Sequence, residues 1–243
     1  AGEIGTPLPE IDVDDFRRSG YSAETLCNYL ALLGWNPGGD VERFDNAFLA
    51  QQFSLDRVGK SAAKFDRDKL AAFNADAIQA MPVEAFAERW RAWCAAFAPT
   101  FTAKLSAEDF VGLAGAYHQR ARTLRDACDA AAFFVVETDE LAYDDKAVDK
   151  VLAKNDGQGF DVLSDLRAVF ASLDPFSGEA AHEAIKSYAE SKDLGMGKVA
   201  QPVRVAVSGG TVSPPIDQTL DVLGRDATLA RIDRFLELRD ATS

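Results

Sequence analysis

From Ser22 onward, apolar side chains recur every three or four residues, and that period restricts the fold class more than any other feature of the chain. Leu26, Tyr29, Leu30 and Leu33 stand at i, i+3, i+4 and i+7, one face of an amphipathic helix, and Gly34 follows as a C-terminal stop. Phe86, Trp90, Trp93 and Phe97 make a second stripe, and Phe110, Leu113, Tyr117 and Leu124 a third. Val162, Leu163, Leu166, Val169, Phe170 and Leu173 repeat the pattern, as do Leu229, Ile232 and Leu236. All of these rows read as core. Strand-like alternation is confined to one short run, Val203 to Val207. The expected fold is therefore mainly all-α, a set of helical bundles in series.

Local signals place the elements. Asp12 to Arg18 puts acidic residues at a helix start and basic ones at its end, matching the helix dipole. Asn36 to Asp40 reads as a turn, Phe44 to Phe53 as a short helical stretch, and Asp66 as the cap of a helix reaching about Ala80. Proline interrupts the periodicity at Met81-Pro82 and at Asp174-Pro175, which divides the chain into residues 1–80, 81–174 and 175–243. Ala1 to Pro9 reads as a tether, and an opening on Ala1 fits a domain fragment.

Of 243 residues, 47% are hydrophobic and 27% charged, the balance of an ordinary soluble globular protein. No apolar run reaches the ~18 residues that span a bilayer, and no basic head with an apolar stretch opens the chain, so a cytoplasmic protein with no membrane partner is expected. Three cysteines, Cys27, Cys94 and Cys128, lack CxxC spacing and read as buried free thiols. His118 and His182 stand in no catalytic motif and read as surface or core-edge residues. Gly195-Met196-Gly197-Lys198 lacks the spacing of a phosphate loop and reads as a helix stop. The acidic pairs Asp14-Asp15 and Asp144-Asp145 lack the alternating ligands of a calcium loop, so no metal is expected. Nothing here makes the chain an enzyme in its own right.

The formal net charge of −13 argues against a nucleic-acid partner, because phosphate contact calls for a basic surface. Binding, however, is local, and the acids concentrate between Glu137 and Asp149. Basic side chains gather in three other places. Arg57, Lys60, Lys64 and Arg67 surround Ser61; Gln119, Arg120, Arg122 and Arg125 form a second group, with Arg122 and Arg125 neighbours if helical; Lys198, Gln201 and Arg204 precede the turn Ser213-Pro214-Pro215.

These groups lie in strings that resemble, in the same order, the C-terminal half of bacterial glutamyl-tRNA synthetases. YLALLGW over Tyr29 to Trp35 and FSLDRVGKSAAKFDRDKL over Phe53 to Leu70 are similar to two family segments, and Phe73-Asn74 to the LN that follows. Arg120 to Leu124 is similar to the family's R-x-x-TL, while GKVAQPVRVAVS over Gly197 to Ser208, TVSP over Thr211 to Pro214, Leu223-Gly224 and Thr228 to Ile232 match its ending. Pro215 stands where the family often has glycine.

The resemblance implies a small stem-contact domain over 1–80, followed by an α-helical cage in two anticodon-binding subdomains, 81–174 and 175–243. It assigns the stem and backbone of glutamate tRNA to Arg57, Lys60, Ser61 and Lys64, and the anticodon to Gln119, Arg120, Arg122, Gln201, Arg204, Ser213 and Ile216. The family's HIGH-type sequence and KLSKR-type loop, which handle ATP with Mg in the parent synthetase, occur nowhere in these residues. The chain by itself is thus expected to hold no cofactor, to have the catalytic domain of the same protein as a missing N-terminal partner, and not to aminoacylate. A free-standing paralogue with a regulatory or accessory tRNA role is the alternative.

Overall fold

The computed structural model describes residues 10–59 and 63–242. Side-chain caps start the early helices. Asp12 opens α1 (Val13–Arg18) through a capping box with Asp15, and Arg17 and Arg18 lie at the negative end. Ser22, Asp45 and Asp66 cap α2 (Ala23–Leu32), α3 (Asn46–Gln52) and α4 (Arg67–Ala80), each accepting from the amide three residues on. After Pro82 come α5 (Val83–Phe97), α6 (Pro99–Lys104), α7 (Ala107–Tyr117) and α8 (Leu124–Ala130). A short α9 (Asp145–Val148) passes through a π-helical turn (Asp149–Ala153) into α10 (Lys154–Ser172). Last are α11 (Gly178–Ser191), α12 (Met196–Ser208) and α13 (Ile216–Thr242), the last bent at Gly224, whose φ of 72° suits glycine. The mainly all-α expectation holds: among the described residues the one extended pairing is an isolated bridge between Trp35 and Val58.

Contacts divide the chain into two compact units, one ending at Asp129 and the other starting at Ala130. Met81-Pro82 is the α4–α5 junction within the first unit, and Asp174-Pro175 the α10–α11 junction within the second. In the first unit Phe16, Leu26, Tyr29, Leu70 and Phe73 form one buried cluster, with Tyr29 edge-on to Phe65 and Phe73. Between α5 and α7, Trp90 is fully buried with its ring 4.8 Å from Phe110. Burial of each such side chain contributes about 1.5–3 kcal/mol. The second unit has a core of Leu163, Leu166, Phe170, Ile185, Val199, Val203, Leu220 and Ile232, all buried.

Several local expectations change. Val203 to Val207 is helical, inside α12, although alternation suggested a strand. Val203, Val205, Ala206 and Val207 are all buried, so the helix is packed on several faces at once, and that packing overrides the β-branched preference. Gly195 caps the start of α12 rather than stopping a helix. The stripe from Phe110 to Leu124 is broken, since α7 ends at Tyr117. In α13 the buried face is Thr228, Arg231, Ile232 and Phe235, one position round from the Leu229 and Leu236 stripe. Cys94 and Cys128 are buried, but Cys27 is exposed; all three are free. Leu30 is partly exposed, and His118, expected at the surface or the core edge, is buried.

Candidate nucleic-acid interface

Residues 118–123 connect α7 to α8 and are held by neighbours on several sides. Asn74, 1% exposed, accepts from the Ser22 amide at 2.9 Å and donates to the Arg122 carbonyl at 2.7 Å. His118 Nε2 is 2.7 Å from the Ile78 carbonyl; a carbonyl only accepts, so the proton sits on Nε2, and Nδ1 takes the Gln119 amide at 3.2 Å. The Asp126 carboxylate accepts from the Arg122 and Thr123 amides, and Thr123 Oγ1 accepts from the Asp126 amide. Gly20, at φ 83°, accepts from the Leu124 amide at 3.2 Å; a Cβ there would stand 2.6 Å from the Arg125 nitrogen.

The side chains on this braced loop differ in availability. Arg122 lies 3.6 Å from Asp68 and Arg125 3.6 Å from Asp129, while Gln119 is engaged with His118. Arg122 precedes α8, so the expected helical pairing with Arg125 does not form. Arg120 is exposed, and among the described residues its guanidinium makes no hydrogen bond or ion pair. A guanidinium with no internal partner on an ordered backbone is preorganised for an outside acceptor.

Of the first basic group, Arg57 borders a hollow of about 1040 Å³ lined also by Trp35, Asn36, Arg43, Lys69 and Asp76. Arg57, exposed on a 3-10 turn (Leu55–Arg57), donates to the Pro37 carbonyl at 3.0 Å. Arg43 bonds Asp76 at 2.5 Å and lies over the Phe73 ring, and Lys69 bonds Glu42 at 2.6 Å, holding that carboxyl below its usual range. Arg67 pairs with Glu10 at 2.7 Å. Lys64 is exposed, while Lys60 and Ser61 lie outside the described residues.

In the second unit the expected contacts are not alike. Arg204 Nη1 donates to the Ser213 carbonyl at 3.1 Å, Ser213 Oγ at 2.6 Å and the Pro214 carbonyl at 2.8 Å, and burial lowers its pKa. It fastens the turn 213–215 to α12. Ser213 Oγ donates on to the Pro214 carbonyl, and Ile216 is 6% exposed at the start of α13. Gln201 and Lys198 line a separate small hollow with Lys150. The sequence reading missed Arg231, 2% exposed, which donates to the carbonyls of Val207, Phe133 and Val136. It missed Arg234 too, which donates to those of Leu141 and Asp139. Their one local signal is the place of Arg231 beside Ile232 on the buried face of α13. Among the described residues no group of three or more His, Cys, Asp or Glu can hold a metal ion, and no helix is long and apolar enough to cross a membrane.

The secondary structure of the described residues is helical but for one bridge, with an exposed arginine on a braced loop in the first unit and carbonyl-bound arginines in the second. The anticodon binding domain family matches residues 85–236, and the chain belongs to that family. Its similarity is to the C-terminal region of glutamate–tRNA ligases: it is 33% identical over 231 residues to the one from Moorella thermoacetica, covering 91% of this chain and 45% of that protein. The Oleidesulfovibrio alaskensis glutamate–tRNA ligase is 35% identical over 226 residues, covering 93% and 47%. A crystal structure of a glutamate tRNA ligase from Elizabethkingia meningosepticum, in complex with its amino acid, superposes with a TM-score of 0.74 at 27% identity, over 97% of this chain and 47% of that one. The chain thus spans about half the length of the curated relatives it matches.

Proposed function

We propose that the chain is the tRNA-gripping portion of a glutamate–tRNA ligase, with glutamate tRNA as its specific partner and the cytoplasm as its place of work. Residues 1–80 take the stem, with Arg57, Lys60, Ser61 and Lys64 against backbone phosphates, and 81–174 and 175–243 take the anticodon. The observation that carries this reading is the Arg120 guanidinium, exposed and unpaired among the described residues, on its braced loop inside the family match. Glutamate and glutamine anticodons differ at the third base, C against G. A guanidinium fork donates to O2 and N3 of cytosine, whereas guanine presents N–H donors on the same edge and meets it with like polarity. Gln119 and Arg122 flank Arg120, while Gln201, Arg204, Ser213 and Ile216 shape the remaining contacts, Arg204 through the turn it holds.

Few cations suffice, because single-stranded RNA is read largely by base-edge hydrogen bonds and stacking. A net charge of −13 then limits non-specific binding. ATP and Mg belong to the chemistry of the whole ligase, and this chain supplies no step through them. In a gel-shift titration the chain should bind a glutamate-tRNA transcript and lose binding when the anticodon loop is replaced, while catalysing no glutamate-dependent pyrophosphate exchange. Indifference to the loop, or measurable exchange, would overturn the proposal.

A further inference from the structure

Two cysteines of the first unit take no part in the site described above. Cys94 lies near the end of α5 and Cys128 on α8; both are buried and free, and their thiols are hydrogen-bonded to each other. Helix packing brings them together, so no CxxC spacing marks them in the sequence. Cys27, exposed on α2, is the third free thiol. In reducing surroundings disulfides are transient and serve redox sensing.

The pair sits where a covalent tie has consequences. α8 has seven residues, too few to hold as a helix on its backbone alone, and the buried side chains on it are Ala127 and Cys128. Asp126 on the same helix accepts from the Arg122 and Thr123 amides, so whatever steadies α8 steadies the end of the loop 118–123. A bond from Cys94 to Cys128 would also close a ring of chain that holds α6, α7 and that whole loop. The two thiols are not equivalent. The Cys94 S–H donates to the Cys128 sulfur and holds Cys128 below the ordinary thiol value, while the same bond, and then burial, pushes Cys94 up. Cys128 also keeps what solvent access the pair has, 5% against 0%.

We propose that Cys94 and Cys128 form a redox latch, joined by hydrogen peroxide into a reversible disulfide that fastens α8 to α5 and stiffens the loop presenting Arg120. The Cys128 thiolate attacks one peroxide oxygen: an S–O bond forms, the O–O bond breaks, and the leaving oxygen departs as water with the proton Cys128 gave up. The Cys94 sulfur then attacks the Cys128 sulfur, S–S replaces S–O, and the hydroxyl leaves as water with the Cys94 proton. Two thiols thus lose two electrons and two protons, and one peroxide becomes two waters. A dithiol reductant reopens the latch by exchange. A stiffened loop costs less to order around whatever Arg120 meets.

The test treats the full chain with hydrogen peroxide, alkylates the remaining thiols and maps the peptides by mass. A Cys94–Cys128 cross-link should form while Cys27 stays open to the alkylating agent, and dithiothreitol should reverse it. In the cross-linked chain, deuterium uptake at residues 118–128 should slow roughly tenfold or more, and the urea midpoint followed by tryptophan fluorescence should rise. Cys128→Ala, checked for folding by circular dichroism, should lose both effects, and Cys27→Ser should keep them. If Cys128→Ala does not fold, the native chain before and after dithiothreitol supplies the same comparison. Oxidation confined to Cys27, a cross-link that leaves uptake at 118–128 unchanged, or the same slowing in folded Cys128→Ala overturns the inference. These readouts involve no tRNA, so the tRNA reading stands or falls separately.

Discussion

The first unit wears its cations on the surface, and the second turns Arg204, Arg225, Arg231 and Arg234 to the backbone. In the first, Arg18, Arg43, Arg67 and Lys69 meet carboxylates of Asp14, Asp76, Glu10 and Glu42 at largely exposed positions, where solvent screening leaves a pair little net strength. Such side chains can exchange a carboxylate for a phosphate at little cost, and among the described residues Arg120 has no partner to give up. In the second unit Arg204, Arg231 and Arg234 each bind two or three carbonyl or hydroxyl oxygens, and Arg225 binds the Leu173 carbonyl. Moving one of them toward RNA would leave those oxygens bare. Clusters that look equivalent in sequence thus divide into exposed, exchangeable side chains and backbone-bound struts.

Four measurements can break or sharpen this contrast. The largest effect is expected from Arg231→Met. Three carbonyls lose their donor inside the core, so the second unit should lose about 3–5 kcal/mol. Trp35, Trp90 and Trp93 are all in the first unit, so in a urea titration the circular dichroism midpoint should fall while the tryptophan fluorescence midpoint holds. Equal shifts by both probes would break the contrast.

Asn74→Ala strands the Ser22 amide and the Arg122 carbonyl and should cost about 2 kcal/mol, now visible in tryptophan fluorescence. An unchanged midpoint would mean that the loop carrying Arg120 is not braced as described. Arg204→Lys keeps the charge but removes the Nη1 that makes all three bonds to the turn, and should cost about 1–2 kcal/mol of stability. A loss of RNA affinity with unchanged stability would make Arg204 a contact instead of a strut.

The smallest effect concerns Arg167 and Asp233, a two-bond pair on the second unit with both side chains 40% exposed. The guanidinium holds the Asp233 carboxyl below its usual range. A lowered folded pKa contributes stability above the unfolded value of roughly 3.9, and that contribution is lost as pH falls through the lowered one. Asp233→Asn should therefore cost under about 1 kcal/mol near neutrality and nothing at the acid end. A cost that persists in acid would contradict the electrostatic account.

How much of this was legible in the sequence depended on whether the signal was local. Helical period and helix-end chemistry are local: Asp66 caps α4 as its position suggested, and a helix with acidic residues at its start and basic ones at its end lies within Asp12 to Arg18. Val203 to Val207 misled because Val203, Val205, Ala206 and Val207 are all buried in α12, so within this short run Arg204 alone breaks the apolar sequence and imitates alternation. The group around Arg120 was visible as composition. What singles out Arg120 is that Asp68, Asp129 and His118 occupy its neighbours, and Asp68 belongs to a distant helix. The struts were invisible for the same reason: Arg231 reaches carbonyls 24 to 98 residues away in sequence.

The contrast is tested most directly at Arg120. Binding should be measured for two tRNA transcripts that differ only at the third anticodon base, C or G, with the native chain and with Arg120→Gln, alongside urea midpoints. The native chain should prefer C by roughly tenfold to a hundredfold, and the substitution should erase that preference with the midpoint unmoved. A native chain indifferent to the base, a preference that survives the substitution, or a midpoint that falls with it would show that Arg120 is not the presented contact.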